Sequence, residues 1–182
     1  MTEKQQILRS AGLVSFLTIL SRILGYARDL ALAILLGTSL VADAFVIAFR
    51  IPNLLRRLTA EGAMTGAFVP VFSHYRAERP QEAWEFANRM FWTLAAVLAA
   101  VTVLGIVFAP TIVRLFTALS PNPEQWSLAV LLTRITFPYC LLIALAGLAS
   151  ATLNTLGVFG LPAATPIFLN LAILGAAVAA YL

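Results

Sequence analysis

Long apolar stretches, interrupted at a few polar points, dominate the pattern along this chain of 182 residues. A hydrocarbon core of about 30 Å takes roughly 20 helical residues to cross, and on that measure the pattern predicts five spans. They are residues 8–37, 40–58, 90–113, 126–154 and 163–182. A polar connector, residues 59–89, follows the second span. The pattern therefore predicts an all-α polytopic membrane protein with a single transmembrane domain.

Two residues predict irregular geometry within the first two spans. Gly25 would ease a bend or local unwinding of the first span, because glycine restrains the backbone least. Pro52 predicts a kink, or an early end near Ile51, in the second. The first part of the connector, AMTGAFVPVFSHY, is apolar enough to lie on the membrane surface or to pack under the bundle.

Arginine and lysine in short loops set the orientation of a membrane protein. Lys4 and Arg9 precede the first span, and the loop between the first two spans has no basic residue. The connector and its edge hold Arg56, Arg57, Arg76, Arg79 and Arg89. We therefore expect the N-terminus and the connector on the cytoplasmic side.

Composition supports a lipid environment. The chain is 61% hydrophobic and 11% charged, whereas a soluble domain has roughly 25% charged residues. Its basic residues are scattered among apolar runs and form no polar face, which argues against a nucleic-acid partner. The single cysteine, Cys140, excludes an intrachain disulfide.

Charge is concentrated at depth in one stretch, residues 21–61, which holds five arginines and three acids. An arginine at the centre of a membrane helix costs about 2.5–3.5 kcal/mol on insertion scales, so such charges persist where they face a cavity or a partner. The charged residues are Arg22, Arg28, Asp29, Asp43, Arg50, Arg56, Arg57 and Glu61.

Their spacing places them on helical stripes. Arg22 and Asp29 are seven residues apart in the first span, and Asp43, Arg50 and Arg57 repeat at seven in the second, where Glu61 extends the row. Because a short loop joins the two helices, we expect the stripes to face each other.

The arginines outnumber the acids of this stretch by two. A surplus of arginine suits an anion, since guanidinium stays charged and grips phosphate oxygens in a bidentate fork. A phosphate or pyrophosphate on a lipid carrier is such an anion. The alternative is a set of internal salt bridges that tie helices together. Arg56 and Arg57 also satisfy the positive-inside rule, and Arg134 could reach outward to the interface.

The remaining residues predict no catalytic or cofactor site. The chain has no Cys/His cluster for a metal, no glycine-rich phosphate loop and no Ser/His/Asp set. We expect a surface or capping role for His74, and helix-end or interhelical hydrogen bonds for Asn154 and Asn170. A transporter is favoured over an enzyme.

Four segments carry a resemblance to a known family: SRILGYARD, ADAFVIAFRIPNLLRRLTAEGAMTGAFVPVF, RITFPYCLLIALAGLASATLNTLGVF and LPAATPIFLN. From about residue 8 to 182 the chain resembles the MurJ/MviN family of bacterial lipid II flippases, in the larger multidrug/oligosaccharidyl-lipid/polysaccharide exporter group. The block PNLLRR-x-x-AEGA-x-x-x-AFVP is the most specific feature.

The resemblance implies a two-lobed transporter of the bacterial inner membrane, of which this chain is an incomplete N-terminal lobe. Such a transporter moves the undecaprenyl-pyrophosphate-linked peptidoglycan precursor, lipid II, to the outer leaflet by alternating access. Its partners would be lipid II, membrane lipids and other cell-wall synthesis proteins. The carried-over cavity charges are Arg22, Arg28, Asp29, Asp43, Arg56, Arg57 and Glu61, and position 50 is basic in the family.

On that resemblance, Arg22, Arg28 and Arg56 would contact the pyrophosphate. The acids Asp29, Asp43 and Glu61 would position those arginines or gate the cavity. Rival functions are a polysaccharide or drug exporter of the same superfamily, an integral membrane enzyme acting on polyprenyl phosphates, and a structural membrane subunit with paired charges. A net acidic cavity would favour a cation exporter, and a catalytic constellation would favour an enzyme.

Overall fold

The computed structural model describes residues 3–60, 63–116 and 123–181, apart from the side chains of residues 3, 4, 6, 7, 51, 52, 55–60 and 63–65. Every regular element within those ranges is an α-helix, so the all-α prediction is confirmed. The helices are α1 (Glu3–Leu36), α2 (Leu40–Ala60), α3 (Ala63–Glu78), α4 (Pro80–Val107), α5 (Ala109–Phe116), α6 (Pro123–Thr155) and α7 (Gly160–Tyr181).

Local chemistry explains several helix ends. The Ala42 N–H donates to Ser39 Oγ at 3.3 Å, which caps the start of α2. Helix α4 begins at Pro80, whose missing N–H costs nothing at that position. Gly37 follows α1 at φ +56° and Gly157 follows α6 at φ +78°, a conformation that glycine adopts without strain.

Helix α1 passes Gly25 without unwinding, and α2 continues to Ala60, so the early end expected near Ile51 is wrong. The bend at Gly25 and the kink at Pro52 stay predictions. The predicted connector is also largely helical, since it contains α3 and the first ten residues of α4.

The third predicted span, 90–113, is interrupted in the structure because α4 ends at Val107 and α5 begins at Ala109. Pro110 has no N–H with which to reach the carbonyl of Ile106 four residues back. Arg134 supplies a donor instead, with its Nε 3.3 Å from the Ile106 oxygen. Pro110 thus explains the break, and Arg134 of α6 donates to the Ile106 carbonyl that the proline cannot reach.

The helices fall into two compact units, and one consists of α1 and α7. These two helices run parallel. Leu13 lies beside Gly160 near their first halves, and Ser21 hydrogen-bonds Asn170 further along. Ala31 and Ala177 line one groove near their last turns.

The other unit contains α2 to α6, and α6 packs against each of the other four helices. One apolar cluster joins α2, α5 and α6, and consists of Ala44, Ala109, Val113, Ala129 and Val130. A second joins α3, α4 and α6, and consists of Phe68, Phe72, Ala83, Leu148 and Ala151. Helix α3 therefore packs on the helices of its unit, one of the two arrangements that its apolar sequence predicts.

Three helices among the described residues are long and apolar enough to cross a membrane: α4, α6 and α7. They correspond to the third, fourth and fifth predicted spans. Large apolar side chains on their surfaces, such as Trp92, Leu142 and Phe168, are more than half exposed. The first two spans and the single-domain organisation stay predictions.

Candidate anion site

Helix α1 carries its charged residues on two different faces. Ser21, Gly25 and Arg28 follow each other at four and three residues, so they share the face that meets α7. Arg22 and Asp29, seven apart, lie on a second face and are exposed. The Arg28 side chain, in contrast, is only 27% exposed. The predicted stripe of Arg22 and Asp29 is therefore present, and Arg28 lies outside it.

The guanidinium of Arg28 contacts two acceptors. Its Nε and Nη2 donate to Asp29 Oδ1 at 3.0 and 2.8 Å, and its Nη1 donates to Asn170 Oδ1 at 2.8 Å. These contacts use three of the five N–H groups that arginine carries. One N–H on each terminal nitrogen is left over after the acceptors of the described residues are counted. That arrangement keeps the charge in place and leaves two donors for an oxyanion.

Asn170 is the other half of this contact. It lies in the middle of α7, is 6% exposed, and donates from Nδ2 to the Ser21 carbonyl oxygen at 2.9 Å. Its amide orientation is determined by chemistry, because guanidinium can only donate and a carbonyl oxygen can only accept. Asn170 therefore links the backbone of α1 to the charged group of Arg28.

Asp43 and Arg50, the charged residues of α2 whose side chains are described, lie on the side away from α6. Ala44 and Ala48 are fully buried, and the Ala48 carbonyl accepts a bond from Thr136 of α6 at 3.5 Å. Asp43 and Arg50, seven residues apart, are exposed. The predicted stripe on α2 is present at these two positions.

Three predicted site residues cannot be placed. The side chains of Arg56 and Arg57, and the whole of Glu61, lie outside the described residues. The predicted facing of the α1 and α2 stripes also stays a prediction.

Comparison with known proteins settles the family. The family model described as "Lipid II flippase MurJ" matches residues 32–181. The chain belongs to the MurJ lipid II flippase family. The resemblance predicted from the sequence motifs is thereby confirmed.

Individual members of the MurJ family are similar to this chain over nearly its whole length. A probable lipid II flippase MurJ of Treponema pallidum (strain Nichols) is 43% identical over 181 residues, covering 96% of this chain and 33% of the relative. The lipid II flippase MurJ of Burkholderia cenocepacia is 43% identical over 174 residues, covering 94% of this chain and 34% of the relative. A Vibrio cholerae relative is 40% identical over 178 residues. This chain spans about a third of the length of these relatives.

Membership in the MurJ family confirms two broader predictions. The chain is part of a multi-pass membrane protein, and its family is one of transporters rather than enzymes.

The other side chains considered from the sequence have structural roles. His74 lies on an exposed surface with its Nε2 3.3 Å from Glu78 Oε2. Arg134 donates to the carbonyl of Ile106. Cys140 is buried within α6. Among the described residues, no group of three His, Cys, Asp or Glu side chains could hold a metal ion.

Asn170 is the residue whose connection to the site was missed. The sequence predicts a helix-end or interhelical hydrogen bond, and the interhelical bond is confirmed. Its bond to Arg28 was not predicted, because 142 residues separate the two in the chain. A signal was present: Asn154 and Asn170 are the only asparagines in the 48 residues from Ile135 onward, which carry no charge.

Proposed function

We propose that this chain is the amino-terminal part of a lipid II flippase of the bacterial inner membrane. The whole transporter would move the undecaprenyl-pyrophosphate-linked peptidoglycan precursor from the cytoplasmic to the outer leaflet by alternating access. The observation that carries this proposal is Arg28, a charged group held on an apolar helix by Asn170 and Asp29 with two donors to spare. Relatives named as a lipid II flippase or a probable lipid II flippase match nearly the whole chain.

The roles proposed for the charged residues rest on their chemistry. Arg28 and the exposed Arg22 contact pyrophosphate oxygens, and Arg50, Arg56 and Arg57 are further substrate-binding arginines. Asp29 orients the Arg28 guanidinium through the bonds at 2.8 and 3.0 Å. Asp43 and Glu61 act as gating or pairing acids. The surplus of arginine over acid in this stretch supports an anionic rather than a cationic substrate.

The parallel course of α1 and α7 supports the predicted topology. Two parallel membrane-spanning helices of one chain require an odd number of crossings between them. Helices α4 and α6 provide two crossings, so α2 provides the third. With the basic residues of the connector held in the cytoplasm, the N-terminus is cytoplasmic and α7 runs outward.

The functional test uses a chimera, in which this chain replaces the matching segment of the full-length Burkholderia cenocepacia relative. The chimera is expressed in a strain depleted of its own flippase, and the precursor reaching the outer leaflet is counted. Arg22→Ala and Arg28→Ala should each reduce export at least tenfold. Arg89→Ala is the matched control, because Arg89 lies on the surface of α4 and pairs with Glu85. Normal export with either site arginine removed contradicts that residue's role.

The orientation is tested by cysteine labelling in the same chimera carrying Cys140→Ser. N122C should react with an impermeant thiol reagent applied from outside the cell, and E78C should not. The reverse pattern would contradict the cytoplasmic N-terminus. Export of an unrelated lipid-linked polysaccharide in place of the peptidoglycan precursor would favour the exporter alternative.

A further inference from the structure

We infer that Asn170 of α7 is a positioning residue for the anion site: it holds the Arg28 guanidinium in the orientation that receives the pyrophosphate. This inference rests on the proposed function, since it assigns Asn170 a role in the binding of the same lipid pyrophosphate. Asn170 itself would touch no substrate. It would act through one side chain, Arg28, and through the backbone of α1.

The first argument concerns rotational freedom. An arginine side chain has many rotamers, and Arg28 sits on a helix where other side chains, such as Tyr26 and Leu30, are more than half exposed. Asp29 alone leaves the Arg28 side chain mobile, because its carboxylate is itself 65% exposed. Asn170 is 6% exposed and belongs to another helix. It therefore provides the rigid contact of the pair.

The second argument concerns the choice of an amide. The position must accept a bond from Arg28 Nη1 and donate one to the Ser21 carbonyl, at 2.8 and 2.9 Å. A carboxylate would accept from Arg28 but would oppose the Ser21 oxygen. It would also cancel the positive charge that an anion needs. An apolar residue would fulfil neither requirement. The neutral amide satisfies both neighbours and preserves the charge of Arg28.

The third argument concerns the exposed side of the guanidinium. With Asn170 and Asp29 bound to three N–H groups, the two that remain belong to different terminal nitrogens. N–H groups on the two terminal nitrogens of arginine can bind two oxygens of one phosphate. The contacts of Asn170 thus determine which donors are presented to the ligand.

The experiment is a double-mutant cycle on the purified full-length chimera in detergent. The affinity for undecaprenyl pyrophosphate is measured for wild type, Arg28→Ala, Asn170→Ala and the double variant, with uncharged undecaprenol as the control ligand. Thermal stability is recorded in parallel. Asn154→Ala is the matched control, because Asn154 is an exposed asparagine on α6.

We expect Arg28→Ala to weaken pyrophosphate binding at least tenfold and Asn170→Ala to weaken it three- to tenfold. In the Arg28→Ala background, Asn170→Ala should have no further effect, because a positioning residue has nothing left to position. Binding of undecaprenol should not change. Asn170→Asp, which retains the acceptor for Arg28 and adds a negative charge, should weaken pyrophosphate binding at least tenfold and gives a second reading if the alanine variant folds poorly.

The outcomes separate this inference from the proposed function. If Arg28→Ala weakens binding but Asn170→Ala has no effect, or has the same effect in both backgrounds, Asn170 is only a structural link and the inference is overturned, while the proposed role of Arg28 stands. If Arg28→Ala leaves pyrophosphate binding unchanged, both are overturned. A loss of thermal stability in Asn170→Ala without a loss of affinity also overturns the inference.

Discussion

In both the α1–α7 and the α2–α6 pair, a helix that carries charge packs against a largely apolar helix that comes later in the chain. The face of α1 that meets α7 contains a charged residue, Arg28, whereas the face of α2 that meets α6 contains Ala44 and Ala48. In α1–α7 the contact includes polar groups: Asn170 is buried and bonds both Ser21 and Arg28. In α2–α6 the fully buried residues Ala44, Ala48 and Ala129 are small and apolar. The Phe49 and Tyr139 rings and a hydrogen bond from Thr136 to the Ala48 carbonyl add to this contact. Asp43 and Arg50 of α2 are left on the exposed side.

The difference shows that charge on an apolar helix can serve in two ways. A guanidinium held between helices has a defined direction, as Arg28 has. A guanidinium on an exposed face, such as that of Arg50, keeps its rotamer freedom and adapts to whatever approaches it. On the proposed function, Arg28 in the α1–α7 pair would be a fixed anchor for an anion, and the α2 stripe would provide adjustable charge.

Charge reversal at the anchor should have the largest effect. Arg28→Glu would replace the guanidinium donors with a carboxylate that can only accept. The new carboxylate would lie next to Asn170 Oδ1 and next to Asp29, which has the same negative charge. Two charge-assisted hydrogen bonds are worth about 1.5–3 kcal/mol each, so undecaprenyl pyrophosphate binding by the chimera should fall at least ~100-fold. Isothermal titration would measure the loss. Affinity within threefold of wild type, or an equal loss in Arg89→Glu, would remove the distinction between anchor and surface charge.

The second-largest effect is expected when a substitution disturbs the close packing of the larger unit. A Cβ at Gly105 of α4 would overlap the ring of Phe137 on α6, which is 2% exposed and has little room to move. Gly105→Ala should lower the free energy of unfolding by about 1–3 kcal/mol, the usual cost of overpacking. Thermal unfolding of the chimera would show it.

The matched variant in the smaller unit is Gly25→Ala, whose Cβ would lie 3.4 Å from Asn170 Nδ2, an ordinary contact. It should cost less than Gly105→Ala. Gly175→Ala, with open space around it, should be neutral or slightly stabilising. Equal losses at positions 25 and 105 would show that the two units are packed alike.

The adjustable charge of α2 should matter for binding and not for folding. Arg50→Ala removes an exposed guanidinium, so the free energy of unfolding should stay within about 0.5 kcal/mol of that of the wild type. Affinity for the lipid pyrophosphate should fall about three- to tenfold, and Arg50→Lys should recover part of it because the charge returns without the fork. A marked loss of stability in Arg50→Ala would mean that this side chain is held as Arg28 is.

The smallest effect is expected for a surface pair outside both helix pairs. Arg89 and Glu85 of α4 are 3.4 Å apart and their side chains are 81% and 70% exposed. Such pairs contribute about 0.3–0.5 kcal/mol, and less in salt. Arg89→Ala should leave export by the chimera unchanged. A loss of export comparable to that of Arg28→Ala would show that the assay responds to total charge rather than to the anion site.

Much of the helical framework could be predicted from local signals. Ser39, Pro80 and Gly157 mark helix ends through capping or backbone preference. The break at Phe108 was missed although Pro110 was visible, because the apolar run continues across it. The helices are neither unwound at Gly25 nor ended near Ile51, because one weak helix former or one proline does not by itself terminate a helix.

The sequence by itself determined that the chain is an all-helical membrane segment, that its charge is concentrated between residues 21 and 61, and that Arg22 and Asp29, like Asp43 and Arg50, share stripes. These properties depend on composition and on the fixed period of the α-helix. Only the tertiary structure decided that Arg28 points to α7 and that Asn170 receives it. The rotation of each helix about its own axis is set by side-chain packing with its neighbours, and no local sequence pattern specifies that angle.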